Sequence, residues 1–297
     1  MVAIRALLDY SIIRFLVGAI AVIGSTLGTQ LGIAWIGSLI GLHAADPAWW
    51  GCLEFSASAV AAFFCYRFYV RQIERRNPDE LSIDSASRDA SLGLVLGACL
   101  FLATIAVLAA LGLVEISISE KPAAAALTLG IVLQAGVAEE LLFRGLVLRL
   151  AERSLGTWPA LVISALLFGG AHLFNPGAGV ASFVSIATEA ALLQGAAYLY
   201  TRRLWLPIGL HFSWGLVESF IFGVADSGNQ YPGLLQTKIH GPGLLSGGAF
   251  GVETSIVAMG LAMVAAVFLL VMASRKGNIA PAHWGAESSP QRGRATP

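Results

Sequence analysis

The sequence predicts an all-α membrane protein: a polytopic helical bundle of about eight transmembrane helices with both termini cytoplasmic. Two bulk properties and one pattern predict it. Apolar residues make up 57% of the 297 positions and charged residues only 12%, and the mean hydropathy is +0.76. A water-soluble domain carries roughly 25% charged residues to solvate its surface, so most of this chain's surface faces something other than water. The pattern is a succession of apolar segments, each near the ~20 residues that a helix needs to cross a bilayer.

Those segments lie near 12–42, 49–70, 91–115, 123–149, 157–173, 178–200, 204–224 and 252–274. The first is overlong and contains the polar step Gly24-Ser25-Thr26, which predicts a tilt or a break. It also runs well past the length of a secretory signal, although Arg5 and Arg14 precede and enter it. The fifth is short and stops at Asn175-Pro176-Gly177, where proline and glycine end a helix.

The basic residues test the map. Numbering the sides by alternation places Arg5, Arg14, Arg67, Arg71, Arg75, Arg76, Arg88, Arg149, Arg153, Arg202, Arg203, Arg275, Lys276, Arg292 and Arg294 on one side. Only Lys121 and Lys238 fall on the other, and Arg144 lies within a span. That asymmetry follows the positive-inside rule and makes the Arg-rich side cytoplasmic. The chain thus reads as one membrane domain over 1–274 and a disordered polar cytoplasmic tail over 275–297. Residues 71–90 form a cytoplasmic loop of mixed charge, and 225–251 a glycine-rich loop on the far side. Zero net charge points to no nucleic-acid partner. Cys52, Cys65 and Cys99 sit in apolar runs and read as packing residues.

Charges inside the spans carry the chemistry. Each costs about 2.5–3.5 kcal/mol at a helix centre even on the lenient insertion scale. The fourth segment holds Glu139, Glu140 and Arg144, the fifth His172 and the seventh His211. Glu140 and Arg144 are four apart and share a helix face, so they can pair. Glu139 lies about 100° round the helix, without a partner on its own helix, where a desolvated carboxylate becomes a stronger base. At 1.5 Å per residue, Glu139, His172 and His211 all fall in the middle band of the membrane.

Glu139-Glu140-x-x-x-Arg144, Phe168-x-x-x-His172 and His211 at the start of a later helix together resemble the CPBP family, also called Abi. These are CAAX-protease and bacteriocin-processing membrane proteins, related to the Rce1-type prenyl-protein proteases. The three motifs place the family core at about 123–224. The stretch GPGLLSGGAFG at 241–251 is similar to one before the final helix of bacterial members, which implies a bacterial plasma membrane. The resemblance implies an intramembrane endopeptidase acting without a covalent intermediate on a membrane-associated peptide or protein. Carried over by residue, Glu139 with His172 activates a water, Glu140 is anchored by Arg144, and His211 stabilises the oxyanion. It implies no bound cofactor. Zinc is not favoured, although glutamate and histidine on separate helices form a ligand set for it. One position departs from the family: Gly215 stands where an asparagine is usual as a second oxyanion donor, and Ser219 and Glu218 lie nearby on the same helix.

Two other readings come from different classes. A non-catalytic scaffold or bacteriocin-immunity protein keeps the fold without turnover, and Gly215 favours it. A transporter uses intramembrane acids as ion relays, and Glu54, Glu189, Glu218 and Glu253 suit that role. No internal repeat accompanies them, as a transporter predicts.

Overall fold

A computed structural model describes residues 11–282 of the chain; 1–10 and 283–297, with the first residues of the expected membrane domain and most of the expected tail, lie outside the described residues. Eight long helices follow one another: α1 Ser11–Leu39, α2 Pro47–Gln72, α3 Ala86–Ala110, α4 Pro122–Leu155, α5 Thr157–Phe174, α6 Val180–Thr201, α7 over 205–221 and α8 Ile256–Arg275. Seven of them are long and apolar enough to cross a membrane. The exception is α7, with 11 α-helical and 6 π-helical residues. It is also the most enclosed, with Leu206, Ile208, Leu210, Trp214 and Val217 all buried. A helix surrounded by other helices has no need to match the bilayer thickness.

Two local expectations are corrected. The polar step in the first segment does not break it: the helix runs unbroken from Ser11 to Leu39, and the Ser25 and Thr26 hydroxyls both donate to the Val22 carbonyl at 2.9 Å, so their polar groups are satisfied inside the helix. The third segment does not remain helical to 115. It ends at Ala110, Gly112 turns the chain at φ +71°, and Val114–Ile118 becomes a strand, β1. This strand pairs antiparallel with β2, Leu235–Ile239, in the register Val114↔Ile239 to Ile118↔Leu235. The alternation Val-Glu-Ile-Ser-Ile and its β-branched residues suit a two-stranded ribbon better than a last helical turn.

Helix α3 crosses α7 at close range. Gly93 and Gly97 face it, and a Cβ at Gly93 would run into the Leu206 carbonyl and come 2.7 Å from the Leu210 nitrogen. At Gly97 a Cβ would strike the Leu210 carbonyl and the Ser213 hydroxyl. The Gly93-x-x-x-Gly97 spacing thus serves packing within the chain.

At the Arg-rich end, the loop after α2 folds back onto α4 through an ion-pair network. Arg149 donates to both Glu74 oxygens at 2.5 and 2.8 Å, and Arg76 joins Glu74 at 2.6 Å and Glu80 at 2.6 and 2.7 Å. The Tyr66 hydroxyl donates to Glu80 at 2.5 Å and to the Gly145 carbonyl at 3.0 Å. Burial alone would raise the Glu74 carboxyl, but the hydrogen bonds and charge of Arg149, then of Arg76, hold it down at about 2. The chain after α8 docks beside this end. Asn278 donates to the Leu199 and Tyr200 carbonyls at 2.9 and 3.2 Å, and Ala280 exchanges hydrogen bonds with Thr157.

Glu74→Gln therefore removes a carboxylate from a buried pair and is expected to cost ~3 kcal/mol of stability, read as a lowered unfolding temperature in detergent. Because the folded pKa is depressed, the wild-type contribution is complete above about pH 4.5 and is lost as pH falls through about 2. The variant should therefore converge on the wild type in acid. Gly97→Leu should separate α3 from α7 and lower stability by ~2 kcal/mol or more, whereas Gly28→Leu on α1, which meets nothing within 4 Å, should leave it unchanged.

Candidate active site

The site is built where α4 changes its winding. The helix is α-helical from Ala125 to Glu140, π-helical over Leu141–Leu148, and α-helical again over Arg149–Leu155. Two further π segments occur, Ala187–Ala191 in α6 and Leu216–Ile221 in α7. A π turn inserts one extra residue and redirects the side chains beyond it, and such turns recur at functional sites. The Gly145 carbonyl within the widened turn of α4 accepts from Arg149 Nε at 2.6 Å as well as from Tyr66.

Glu140 is fully buried, and its Oε1 accepts two hydrogen bonds of 2.9 Å, from Arg144 Nη1 and from His211 Nδ1. The first is the pairing that the four-residue spacing predicts. The second was not legible in the sequence, since it joins residues 71 apart. Arg144 in turn reaches the Ala191 and Ala190 carbonyls of α6 at 3.2 and 3.4 Å, and its guanidinium lies 4.7 Å over the Phe168 ring of α5. One buried ion pair thus ties together α4, α5, α6 and α7.

Glu139 has different surroundings, as its position on the helix predicts. Its side chain is 32% exposed, and its Oε2 stands 4.0 Å from His211 Nε2. It also lines a groove of about 210 Å³ with Val22, Ile23, Thr26 and Leu27 of α1. His172 opens the 3₁₀ turn that ends α5, and its Nδ1 is 2.8 Å from the Phe168 carbonyl. Since a carbonyl only accepts, Nδ1 carries the proton and Nε2 is left as an acceptor. By the same reasoning the Glu140 carboxylate places a proton on His211 Nδ1. The Phe168 ring lies 4.7 Å from the His172 ring and 6.4 Å from that of His211. Both histidines line one cavity of about 50 Å³ with Phe168, Gly215 and Asp226.

At Gly215, a Cβ would lie 3.1 Å from Val132 Cγ1 and 3.6 Å from Asp226 Oδ2. The two nearby polar groups on α7 are engaged elsewhere: Ser219 donates to the Val224 carbonyl at 3.2 Å, and Glu218 accepts from Trp214 Nε1 at 2.8 Å. The polar group that does reach the space is Asp226, which sequence reasoning missed because it sits in the loop beyond the span. Burial pushes its carboxyl above the usual range; the charge of Glu139 adds to this, while His211 and His172 pull it back. Glu253 lines the same cavity, and burial, with the charge of Asp226, raises it to about 8 against the hydrogen bonds of Ser227.

Among the described residues, the acids and histidines that bring three ligand atoms within 4.8 Å of one another are Glu218, Asp226 and Glu253; Glu139, His172 and His211 do not form such a group. The motif residues bring together one accessible carboxylate, two imidazoles whose Nδ1 protons are fixed by acceptors, and a buried ion pair that orients one of them, groups able to transfer protons.

No curated protein and no solved structure matches the chain. Residues 121–217, about a third of its length, match the family model described as type II CAAX prenyl endopeptidase Rce1-like. The matched segment contains Glu139, Glu140, Arg144, His172 and His211, and it supports an intramembrane protease of CAAX type. Over residues 121–217, which carry the Glu139-Glu140-x-x-x-Arg144 and Phe168-x-x-x-His172 motifs and His211, the chain is thus similar to the Rce1-like proteases of the CPBP family.

Proposed function

We propose that the protein is a glutamate-type intramembrane endopeptidase that hydrolyses a peptide bond of a membrane-associated protein or peptide, with no metal at the reacting centre. The observation that carries this reading is the division of labour between two adjacent carboxylates. Glu140 is buried and committed to Arg144 and His211, whereas Glu139 is accessible and faces both the groove along α1 and the Nε2 of His211. Glu139 takes the proton from a water, His172 Nε2 orients that water, and the oxygen adds to the substrate carbonyl. His211, held through Nδ1 by Glu140, donates from Nε2 in its doubly protonated form to the oxygen that becomes negative. The proton on Glu139 then passes to the leaving amine as the C–N bond breaks, which restores the carboxylate.

The apolar groove of Val22, Ile23 and Leu27 leads to Glu139 from the α1 side, which suits an extended peptide arriving from lipid. We place both termini on the cytoplasmic side of a bacterial plasma membrane, on the asymmetry of the basic residues.

Glu139→Gln keeps the size of the side chain and removes the base. Cleavage of a fluorogenic peptide library by detergent-purified protein should fall by about 100- to 10,000-fold, with unfolding temperature and yield unchanged. Glu140→Gln and Arg144→Ala should act through the structure, each lowering stability by ~3–5 kcal/mol because the surviving partner is left buried and unpaired. If Glu139→Gln unfolds the protein as readily as Glu140→Gln does, Glu139 is a structural residue and the mechanism fails.

A further inference from the structure

Behind the cavity lies a group of acids that the peptidase chemistry leaves unused. Glu218 of α7, Asp226 of the following loop and Glu253 of the turn before α8 bring one oxygen each within 4.8 Å of one another. A fourth, Glu189 of the π segment of α6, lines the same cavity as Asp226 and Glu253. Glu189, Glu218 and Glu253 are 3%, 0% and 3% exposed. Each also has one buried oxygen with no hydrogen-bond partner: Oε2 of Glu189, Oε1 of Glu218 and Oε2 of Glu253. The remaining bonds come from neutral donors. Ser227 gives its backbone N–H and its hydroxyl to Glu253 at 2.5 and 3.0 Å, and Trp214 gives its indole N–H to Glu218 at 2.8 Å.

Burying several carboxylates with vacant oxygens costs several kcal/mol for each one ionised. At the other end of the bundle the same chain surrounds Glu74 and Glu80 with arginines; here, among the described residues, no lysine or arginine bridges to any of the four. The backbone is shaped to make the approach. Gly251 holds φ +141°, and a Cβ there would collide with Glu253 Oε2 and lie 2.6 Å from the Ala225 carbonyl oxygen. Only glycine lets that carboxylate and carbonyl close in on one point. All the donor atoms are oxygens, most of them anionic, which is the ligand chemistry of a hard divalent cation and not of zinc on imidazole or thiolate.

We infer that Glu218, Asp226 and Glu253 bind a divalent cation of the calcium–manganese class, distinct from Glu139, His172 and His211, with Glu189 lining the adjoining cavity. The cation joins α7, the loop after α7 and the turn before α8. It holds Asp226 in place beside the reacting centre without taking part in the reaction.

The test uses the full chain in detergent, stripped with EDTA and then titrated with Ca²⁺, Mn²⁺ or Mg²⁺. Bound metal is measured by mass spectrometry and stability by thermal unfolding. Expected are one ion per chain and a rise in unfolding temperature of about 5 °C at a hundredfold excess over Kd. Both should be lost in Glu218→Gln/Glu253→Gln and kept in Glu139→Gln. Wild-type protein that binds no stoichiometric ion overturns the inference, and that arm stands even if the double variant fails to fold. So does metal that survives the double variant but disappears in His172→Ala, which would move the ion to the histidines. The second result would also overturn the metal-free mechanism, whereas the first leaves it intact.

Discussion

The buried Glu140–Arg144 pair is the interaction on which the rest of the site depends. An isolated charge in the interior of a membrane bundle is costly, and pairing it with an opposite charge and further hydrogen bonds offsets that cost. Arg144 also reaches two α6 carbonyls and the face of Phe168, and Glu140 Oε1 also accepts from His211, while Glu140 Oε2 and Arg144 Nε are left without a partner among the described residues. Four helices are thereby held in one relative arrangement. The requirement to satisfy a buried charge and the requirement to orient a histidine are met by the same carboxylate.

Seen this way, the adjacent glutamates are not redundant. They differ because consecutive residues on a helix point in different directions, so only one can face the pairing partner. The neighbour is left toward the groove, where its oxygens remain available. The π segment begins at Leu141, directly after the two glutamates, and the Gly145 carbonyl within it accepts from Tyr66 and Arg149. The ion-pair network at the Arg-rich end and the residues of the site are thus carried on the same helix, α4.

The two ends of the bundle deal with buried acids in opposite ways. Near the loop after α2, each glutamate meets arginine and the Glu74 carboxylate is held ionised at about 2. Near the loop after α7, the carboxylates have neutral donors and one another, and Glu253 rises to about 8. The first arrangement is complete as it stands. The second is completed by protons or by a cation, and its position beside His172 and His211 links the state of that loop to the site.

Much of this was determined by the sequence alone. The spans follow from apolar runs, because backbone groups in lipid must be satisfied within a helix. Glu140 and Arg144 follow from a four-residue spacing, and the divergence of Glu139 from a helical turn. Short-range rules sufficed for each. The ribbon of β1 and β2, the π segments, the bond from His211 to Glu140 and the arrival of Asp226 beside Gly215 were decided by the tertiary structure. Each depends on which residues far apart in the chain are brought together, and single-helix periodicity is silent on that. Gly215 shows the difference most clearly. In the sequence it is a missing side chain, whereas in the fold its space is bounded by Val132 of α4 and Asp226 of the following loop.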